Sequence, residues 1–419
     1  MVRMPFFNRG AASALAMALA LAAGGVAGSV ALTAPASAQQ ADYNPSRNFA
    51  KVYEPVAAIA NAAGGDYASA KAQLPAVLAA IENADDRYLA GYLHYALGVK
   101  LNDRAMQQQG MEMMLASGKA APEAAAEMNY FLGEWAYNAQ QYARARQYLA
   151  TAKAGGYTQG NIDGLTVESY VKEGQTDQAL TTLEALIQER TRAGQEVPEQ
   201  WIRRAIVISA EARNLEQVGK WSGLLLNTNP APETWGQVLG MVSSLTTLDR
   251  DSQLDLMRLR SVTGSLKDKA DYAAYISAAD PRAMSNEVGR VLAAAVQAGA
   301  LSTSDEYYTD VKAIVDNNAA KDRADAPSLA AEARAANGSA RDAQNAGDVF
   351  LSLQSYAEAE QMYALGLQKP GADRDLLLTR LGIAQYQQGK RAEAKATFEQ
   401  VGGQRAAVAR LWAAYASRA

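Results

Sequence analysis

The chain has 419 residues, of which 49% are hydrophobic, and its 40 Lys and Arg against 44 Asp and Glu give a formal net charge of −4. It contains no cysteine, which excludes disulfides, thiolate metal sites and a lipidated cysteine. With one histidine and no basic runs it also offers neither a His-based metal cluster nor an electrostatic footprint for nucleic acid. We therefore predict no cofactor, no metal and no nucleic-acid partner.

The first 38 residues have the order of a secretory signal peptide. Arg3 and Arg9 precede a small-residue apolar stretch over about residues 11–32, and Ala36-Ser37-Ala38 provides an A-x-A cleavage site. Loss of the two arginines leaves 38 basic and 44 acidic residues, a net charge of −6. We predict that residues 1–38 are removed and take no part in the fold.

A membrane anchor is the alternative for this segment, because its apolar stretch is long enough to cross a bilayer. The Gly24-Gly25 break, the richness in alanine and the polar sequence after Ala38 favour cleavage. No later segment approaches about 18 uninterrupted apolar residues, so we expect no membrane insertion of the mature chain. The character of the signal, without a lipid-anchor cysteine or cell-wall motif, predicts the periplasm of a Gram-negative bacterium.

A repeated pattern of small and large residues runs along the chain, and it is clearest from Met128 to Ala152. There Leu132-Gly133 is followed by Tyr142, Ala145 and Leu149. A small residue where two helices cross lets them approach closely, and a large residue one turn away fills the groove that results. The pattern predicts two helices packed as a hairpin.

Marking each copy by the small residue of its second helix shows a regular period. The first five markers are separated by 35, 40, 34 and 39 residues, and the last two by 35. A period near 34 is typical of tetratricopeptide repeats. The markers are Ala70, Ala105, Ala145, Ala179, Val218, Ala359 and Ala394.

This signature resembles the tetratricopeptide repeat (TPR) family, of which the chain would be a degenerate, exported member. The resemblance implies an all-α fold in which helical hairpins stack into a right-handed superhelix, a solenoid, with a binding role and no catalytic residues. It is specific over roughly residues 51–193 and 340–416, and we predict a TPR-like repeat block at 39–233 and another at 337–419. Between them, 234–336 shows helical periodicity without the signature, and 316–340 is predicted to be an irregular joint.

Helix boundaries are predicted from proline and aspartate. Asp66 and Asp103 suit N-caps, whose side chains accept a hydrogen bond from a free backbone N–H. Four prolines suit the first turn of a helix, where proline loses no hydrogen bond. They are Pro122, Pro198, Pro232 and Pro281.

Catalytic motifs are weak. Ser169-x-x-Lys172 has the spacing that activates a serine nucleophile, but its companion motifs are missing and it falls inside a repeat helix. The carboxylates Asp249 and Asp251 suit a helix start. His94 is predicted to be an ordinary helix residue. We therefore predict that the protein is not an enzyme.

The candidate binding residues come from the TPR resemblance, because the first helix of each repeat lines the concave groove of that family. They are Glu127, Tyr130, Glu134, Tyr137, Asn138 and Tyr386. Acids and tyrosines in place of lysine and asparagine favour a partner of basic or apolar character. Packing of the tyrosines between neighbouring repeats is the alternative.

The predicted function is that of an exported helical-repeat scaffold that binds a protein or peptide in its concave groove. One alternative is an envelope enzyme, or its helical accessory domain, acting on cell-wall or polysaccharide machinery. Such an enzyme needs a compact catalytic domain, for which only 234–336 leaves room. Another alternative is a structural role through self-association.

Overall fold

The computed structural model of the protein describes residues 43–418, and the predicted signal peptide at 1–38 lies outside this range. Twenty α-helices and one short 3-10 turn, with no β-strand, make up the regular structure of residues 43–418. The all-α prediction is confirmed. No helix of these residues is both long enough and apolar enough to cross a membrane.

The first ten helices are α1 (Arg47–Asn61), α2 (Tyr67–Ala79), α3 (Ala84–Lys100), α4 (Arg104–Ser117), α5 (Pro122–Asn138), α6 (Tyr142–Ala154), α7 (Ile162–Lys172), α8 (Thr176–Arg192), α9 (Glu199–Glu211) and α10 (Leu215–Thr228). The others are α11 (Pro232–Leu245), α12 (Arg250–Val262), α13 (Lys269–Ala279), α14 (Ser285–Gln297), α15 (Glu306–Arg334), α16 (Ala340–Ser352), α17 (Tyr356–Leu367), α18 (Arg374–Gln387), α19 (Arg391–Phe398) and α20 (Ala406–Ala416), with the 3-10 turn at Gly403–Arg405.

Successive helices pack on each other as hairpins, and most hairpins share one turn geometry. In ten turns the residue after a left-handed residue donates its N–H to a carbonyl five positions earlier, as Asp103 does to Gly98. This bond satisfies a carbonyl at the end of the preceding helix, so a short loop can reverse the chain. The left-handed residues are Asn102, Gln140, Gly156, Gly174, Gly194, Arg213, Gly264, Gly299, Gln354 and Gly389.

The helices of several hairpins cross at a glycine, as the small-large pattern predicts. A Cβ placed on Gly133 would lie 2.8 Å from the Leu149 side chain, and one on Gly382 would lie 2.6 Å from Phe398. Gly347 stands in the same relation to Tyr363, also at 2.6 Å. In all three hairpins the large residue follows the small marker by four positions, one helical turn.

Six of the seven marker residues are buried, but Ala105 is exposed, so its assignment is wrong. In the α3–α4 hairpin Met106 faces the core, and the close crossing is made by glycines of both helices. A Cβ on Gly110 would lie 2.5 Å from the carbonyl oxygen of Gly91. Glycine on both sides allows the backbones to touch, which a pattern built on one small residue does not describe.

Two predictions about breaks are also wrong. Residues 316–334, placed in an irregular joint, belong to α15, because alanine is the best helix former and Ala330 and Ala333 pack against α16. Pro281 lies in the turn between α13 and α14, after a left-handed Asp280 that ends α13. The N-caps at Asp66 and Asp103 and the first-turn positions of Pro122 and Pro232 are confirmed.

The C-terminal half of the chain closes on itself. Helix α20 packs against α10 and α12, and α12 also contacts α18. One apolar core extends from Val167 to Ala416, whereas the N-terminal helices have separate, smaller cores. We call α10–α20 the closed half, because its last helix packs back on α10 and α12.

Candidate functional site

The exposed face of α5 carries a compact group of acids and tyrosines. Glu127 and Glu134 lie two turns apart on α5, and both are half-buried. Neither carboxylate has a hydrogen bond or an ion pair within residues 43–418. Tyr95 of α3 and Tyr157 of the α6–α7 loop border them. We call these residues the tyrosine–glutamate patch, which has five members: Tyr95, Glu127, Tyr130, Glu134 and Tyr157.

The pKa values of the patch reflect its partial burial. Burial raises the pKa of Glu127, and no neighbouring cation lowers it again. Burial also raises the pKa of Tyr95 and Tyr157, and the negative charge of Glu127 raises both further. The patch thus combines acidic side chains with aromatic rings in a partly buried setting.

The predicted binding residues fall into two groups. Glu127, Glu134 and Asn138 keep accessible side chains. Tyr130 is only 9% exposed and stacks on Tyr157, with 4.8 Å between ring centroids, and its hydroxyl accepts a hydrogen bond from the Asn161 N–H. The main contacts of Tyr130 are therefore packing contacts inside the fold.

Tyr137 and Tyr386 lie apart from this patch. Tyr137 packs edge-on against Tyr142, and the carboxylate of Glu168 is close enough to raise its pKa beyond the effect of burial. Tyr386 packs on Trp412 and Tyr415 of α20 in the closed half. Five of the six predicted residues therefore lie on α5, three of them in the patch, and Tyr386 lies elsewhere.

Tyr95 and Tyr157 were missed from the sequence. Because the repeat was aligned wrongly at Ala105, the face of α3 that carries Tyr95 was not among the predicted groove positions. Tyr157 lies in a loop, and the repeat offsets describe only helix positions. A usable signal existed for α3. Tyr88, Tyr92 and Tyr95 follow helical spacing, and Val99, which continues the stripe, is 50% exposed.

The inner surface of the closed half is filled by a buried network of charges. Asp255 of α12, with no exposed surface, faces the guanidinium groups of Arg258, Arg380 and Arg405 at distances from 2.9 to 3.5 Å. Its backbone carbonyl also accepts a hydrogen bond of 2.9 Å from Trp412 of α20.

Two more carboxylates complete the network. Glu287 of α14 accepts hydrogen bonds of 2.9 and 2.8 Å from Arg258, and another of 2.8 Å from the Tyr275 hydroxyl. Asp348 of α16 accepts a hydrogen bond of 2.5 Å from Arg380. Three buried arginines thus face three buried carboxylates.

Burial and charge act against each other within this network. Burial alone would raise the pKa of Glu287, but the Arg258 guanidinium outweighs it and holds that pKa below the ordinary value of 4.5. For Asp255 burial wins, so its pKa is raised although Arg380, Arg258 and Arg405 oppose the shift. The charges compensate one another only in part by hydrogen bonds, because Asp255 Oδ2, Arg380 Nε and Arg405 Nη1 are buried without a hydrogen-bond partner within residues 43–418.

The other residues considered from the sequence have structural contacts. The Ser169 hydroxyl donates to the Thr166 carbonyl and accepts from Arg146, and Ser169 is fully buried. His94 is 4% exposed, with its Nδ1 3.0 Å from the Ala90 carbonyl, and burial lowers its pKa. Within residues 43–418 no cluster of three or more His, Asp or Glu is arranged to hold a metal ion.

Asp249 and Asp251 start α12 as predicted, but they also bind arginines far along the chain. Asp249 accepts a hydrogen bond of 3.1 Å from Arg405, and Asp251 accepts one of 2.5 Å from Arg380.

No protein-family model matches the chain, and no curated protein is detectably similar to it.

Proposed function

We propose that this chain is an exported helical-repeat scaffold that resembles TPR proteins and binds a protein or peptide through the tyrosine–glutamate patch. The observation that carries the proposal is the state of Glu127 and Glu134. Two half-buried carboxylates have lost part of their hydration without gaining a partner in the described residues. A ligand that supplies cations would restore what burial removed.

The chain's own side chains indicate which cations suit this surface. The Arg104 guanidinium lies 4.1 Å from the centre of the Trp135 ring on α5, and Arg146 lies 4.2 Å from that of Tyr170. Aromatic faces on these helices thus already hold guanidinium groups. We propose that the partner offers arginine or lysine side chains, which would stack on Tyr95 or Tyr157 and pair with the glutamates.

The repeated architecture supports a TPR-like arrangement of the N-terminal helices. Left-handed turns join α3 to α4, α5 to α6, α7 to α8 and α9 to α10, which supports the view that α3, α5, α7 and α9 are the first helices of successive hairpins. In the TPR family such helices line a concave groove. We propose that these four helices form that groove, and that the closed half ends it because its own inner surface is filled.

The test of binding is a charge reversal on α5. Glu127→Lys/Glu134→Lys would be titrated by fluorescence anisotropy with labelled ten-residue peptides that carry either arginine and alanine or glutamate and alanine. We expect the native chain to bind the arginine peptide, and the variant to bind it at least about tenfold more weakly. Glu123→Lys, an exposed glutamate of the same helix, is the matched control.

Two outcomes would contradict the proposal. Equal affinity for arginine and glutamate peptides would show that charge does not select the ligand. Equal weakening by Glu123→Lys and by the double variant would show a general charge effect of α5 instead of a site. Circular dichroism of all three proteins checks that helix content is retained.

Export has a separate test. We propose cleavage after Ala38, so the N-terminal sequence of protein recovered from the periplasmic fraction is expected to begin at Gln39. Replacing Ala36 and Ala38 with bulky residues should leave the uncleaved chain in the membrane fraction. Recovery of the full-length chain from the cytoplasm would contradict this assignment.

A further inference from the structure

The surface of α5 between its two patch glutamates is aromatic. Glu127, Phe131 and Glu134 follow one another at intervals of four and three positions, so they lie on one face of the helix. Phe131 is half-buried, and its ring lies 5.5 Å from that of Tyr130 and 6.4 Å from that of Trp135, measured between centroids. This face therefore presents an acid, an aromatic ring and a second acid in that order along the helix.

Tyrosines from two other elements border this face. Burial raises the pKa of Tyr157, and the negative charges of Glu127 and Glu134 raise it further, so the α6–α7 loop lies near both carboxylates. Burial and then the charge of Glu127 raise the pKa of Tyr95 on α3, while Arg104 opposes the shift. A ligand that lies along this face of α5 would therefore meet tyrosines from the hairpin before it and from the loop after it.

The separation of the two glutamates fits one ligand conformation well. Seven positions of an α-helix span about 10.5 Å along its axis. A polyproline II segment has three residues per turn and rises about 3.1 Å per residue, so side chains three positions apart leave the same side about 9.3 Å from each other. In a β-strand the side chains of one face are about 6.6 or about 13 Å apart, which fits less well.

An α-helical ligand could also space two cations by about 10.5 Å, if they were seven positions apart. Such ligands bind through a continuous apolar stripe that is laid into an apolar groove. On α5 both ends of the stripe are acids and only Phe131 between them is apolar. The face therefore suits a polyproline II ligand better than a helical one.

We propose that the partner contacts the tyrosine–glutamate patch with a proline-rich segment in the polyproline II conformation, which carries two arginines three positions apart. The prolines would lie on Phe131 between Tyr95 and Tyr157, because such segments dock on aromatic surfaces. The arginines would pair with Glu127 and Glu134. This proposal rests on the function proposed above and adds to it the conformation of the ligand and the spacing of its charges.

Two labelled ten-residue peptides of equal composition test the spacing. In the spaced peptide two prolines separate the two arginines within a proline-rich sequence, and in the adjacent peptide the arginines are neighbours. Both would be titrated into the full mature chain by fluorescence anisotropy. We expect the spaced peptide to bind at least about fivefold more tightly, because both of its cations reach a carboxylate. A helical, alanine-rich peptide with arginines seven positions apart is expected to bind more weakly than the spaced peptide.

Single variants show whether both glutamates select the spacing. Glu127→Gln and Glu134→Gln each leave one carboxylate, so we expect each variant to bind the spaced and the adjacent peptide with equal affinity. Glu123→Gln, at an exposed glutamate of the same helix, is the matched control and should keep the preference for the spaced peptide. Circular dichroism checks that the variants keep their helix content.

The outcomes separate this proposal from the function on which it rests. Equal affinity of the native chain for the two proline-rich peptides, tighter binding of the helical peptide, or a spacing preference that survives both single variants would overturn the polyproline II proposal and leave charge selection by the patch intact. If no arginine peptide binds more tightly than its glutamate counterpart, the function proposed for the patch fails as well.

Discussion

At the residue scale, Asp255 is a single carboxylate shared by three arginines. Arg258 comes from the same helix, but Arg380 and Arg405 come from the far end of the chain. Each arginine has a second carboxylate partner, but removing the shared charge would take one buried negative charge from three buried cations at once, which costs more than the intact pairs contribute.

Asp255→Asn is therefore expected to lower the free energy of unfolding by about 3 kcal/mol, measured by urea denaturation. The control is Asp163→Asn, which breaks a partly exposed pair with Lys153 of 2.9 Å. Its cost should be at most about 1 kcal/mol, because solvent screens that pair. A loss for Asp255→Asn no larger than the control's would show that the network adds little to stability.

Glu287 gives the network a dependence on pH. Its pKa in the folded chain lies below 4.5, so its ionised form stabilises the fold at higher pH and this contribution disappears as pH falls through the folded-state pKa. Urea denaturation between about pH 7 and about pH 3 should therefore show a stability difference between native chain and Glu287→Gln that shrinks on acidification. A difference that grows toward low pH would contradict the assignment.

These charged partners could not be predicted from the sequence, although one signal was present. Asp255 and Arg258 interrupt the run Leu254, Leu256, Met257 and Leu259, where both faces of the helix are apolar. Charges in such a run predict a buried pair. Their partners lie 29 to 157 positions away, and no local period connects residues so distant.

At the scale of elements, the sequence predicted the hairpins well because their contacts are local. Ala145 and Leu149 lie on one helix and meet Gly133 across one short turn, so spacing alone relates them. Ala105 was assigned wrongly because the α3–α4 crossing uses Gly91 and Gly110 instead of an alanine marker. On α5, spacing could not distinguish the buried Tyr130 from the accessible Glu127.

The same substitution at two glycines should have opposite effects on stability. Gly110→Ala would place a methyl group 2.5 Å from the Gly91 carbonyl oxygen, so we expect a loss of about 1–3 kcal/mol. At Gly240 of α11 no atom lies within 4 Å of the added methyl group, and Gly240→Ala should stabilise by about 0.5–1 kcal/mol. Urea midpoints of both variants check the pair, and losses of equal size would contradict it.

At the scale of the whole molecule, the hairpins of α1–α6 and the closed half depend on different cores. Trp412 is fully buried, stacks on Phe398 with 5.8 Å between centroids and donates to Asp255, so it fixes α20 in place. Trp135 packs in the separate core around α3 and α5. This organisation allows one half to loosen without the other.

Hydrogen exchange should show that independence. Trp412→Ala is expected to lower amide protection in α10, α12, α18 and α20 while α3–α5 keep theirs, with a stability loss of about 3–5 kcal/mol in the closed half. Trp135→Ala should give the reciprocal pattern. Loss of protection throughout the chain in both variants would show that it unfolds as one cooperative unit.

Closure of the C-terminal half also sets the order in which the protein can fold. The bonds that complete it join Asp251 to Arg380 and Asp255 to Trp412, across 129 and 157 positions. During synthesis the early hairpins can form as they leave the ribosome, whereas α12 must wait for the last helix before Asp255 meets all its partners. The final folding step is therefore a slow, long-range one, and a nascent chain stopped short of α20 exposes an apolar core to chaperones and proteases.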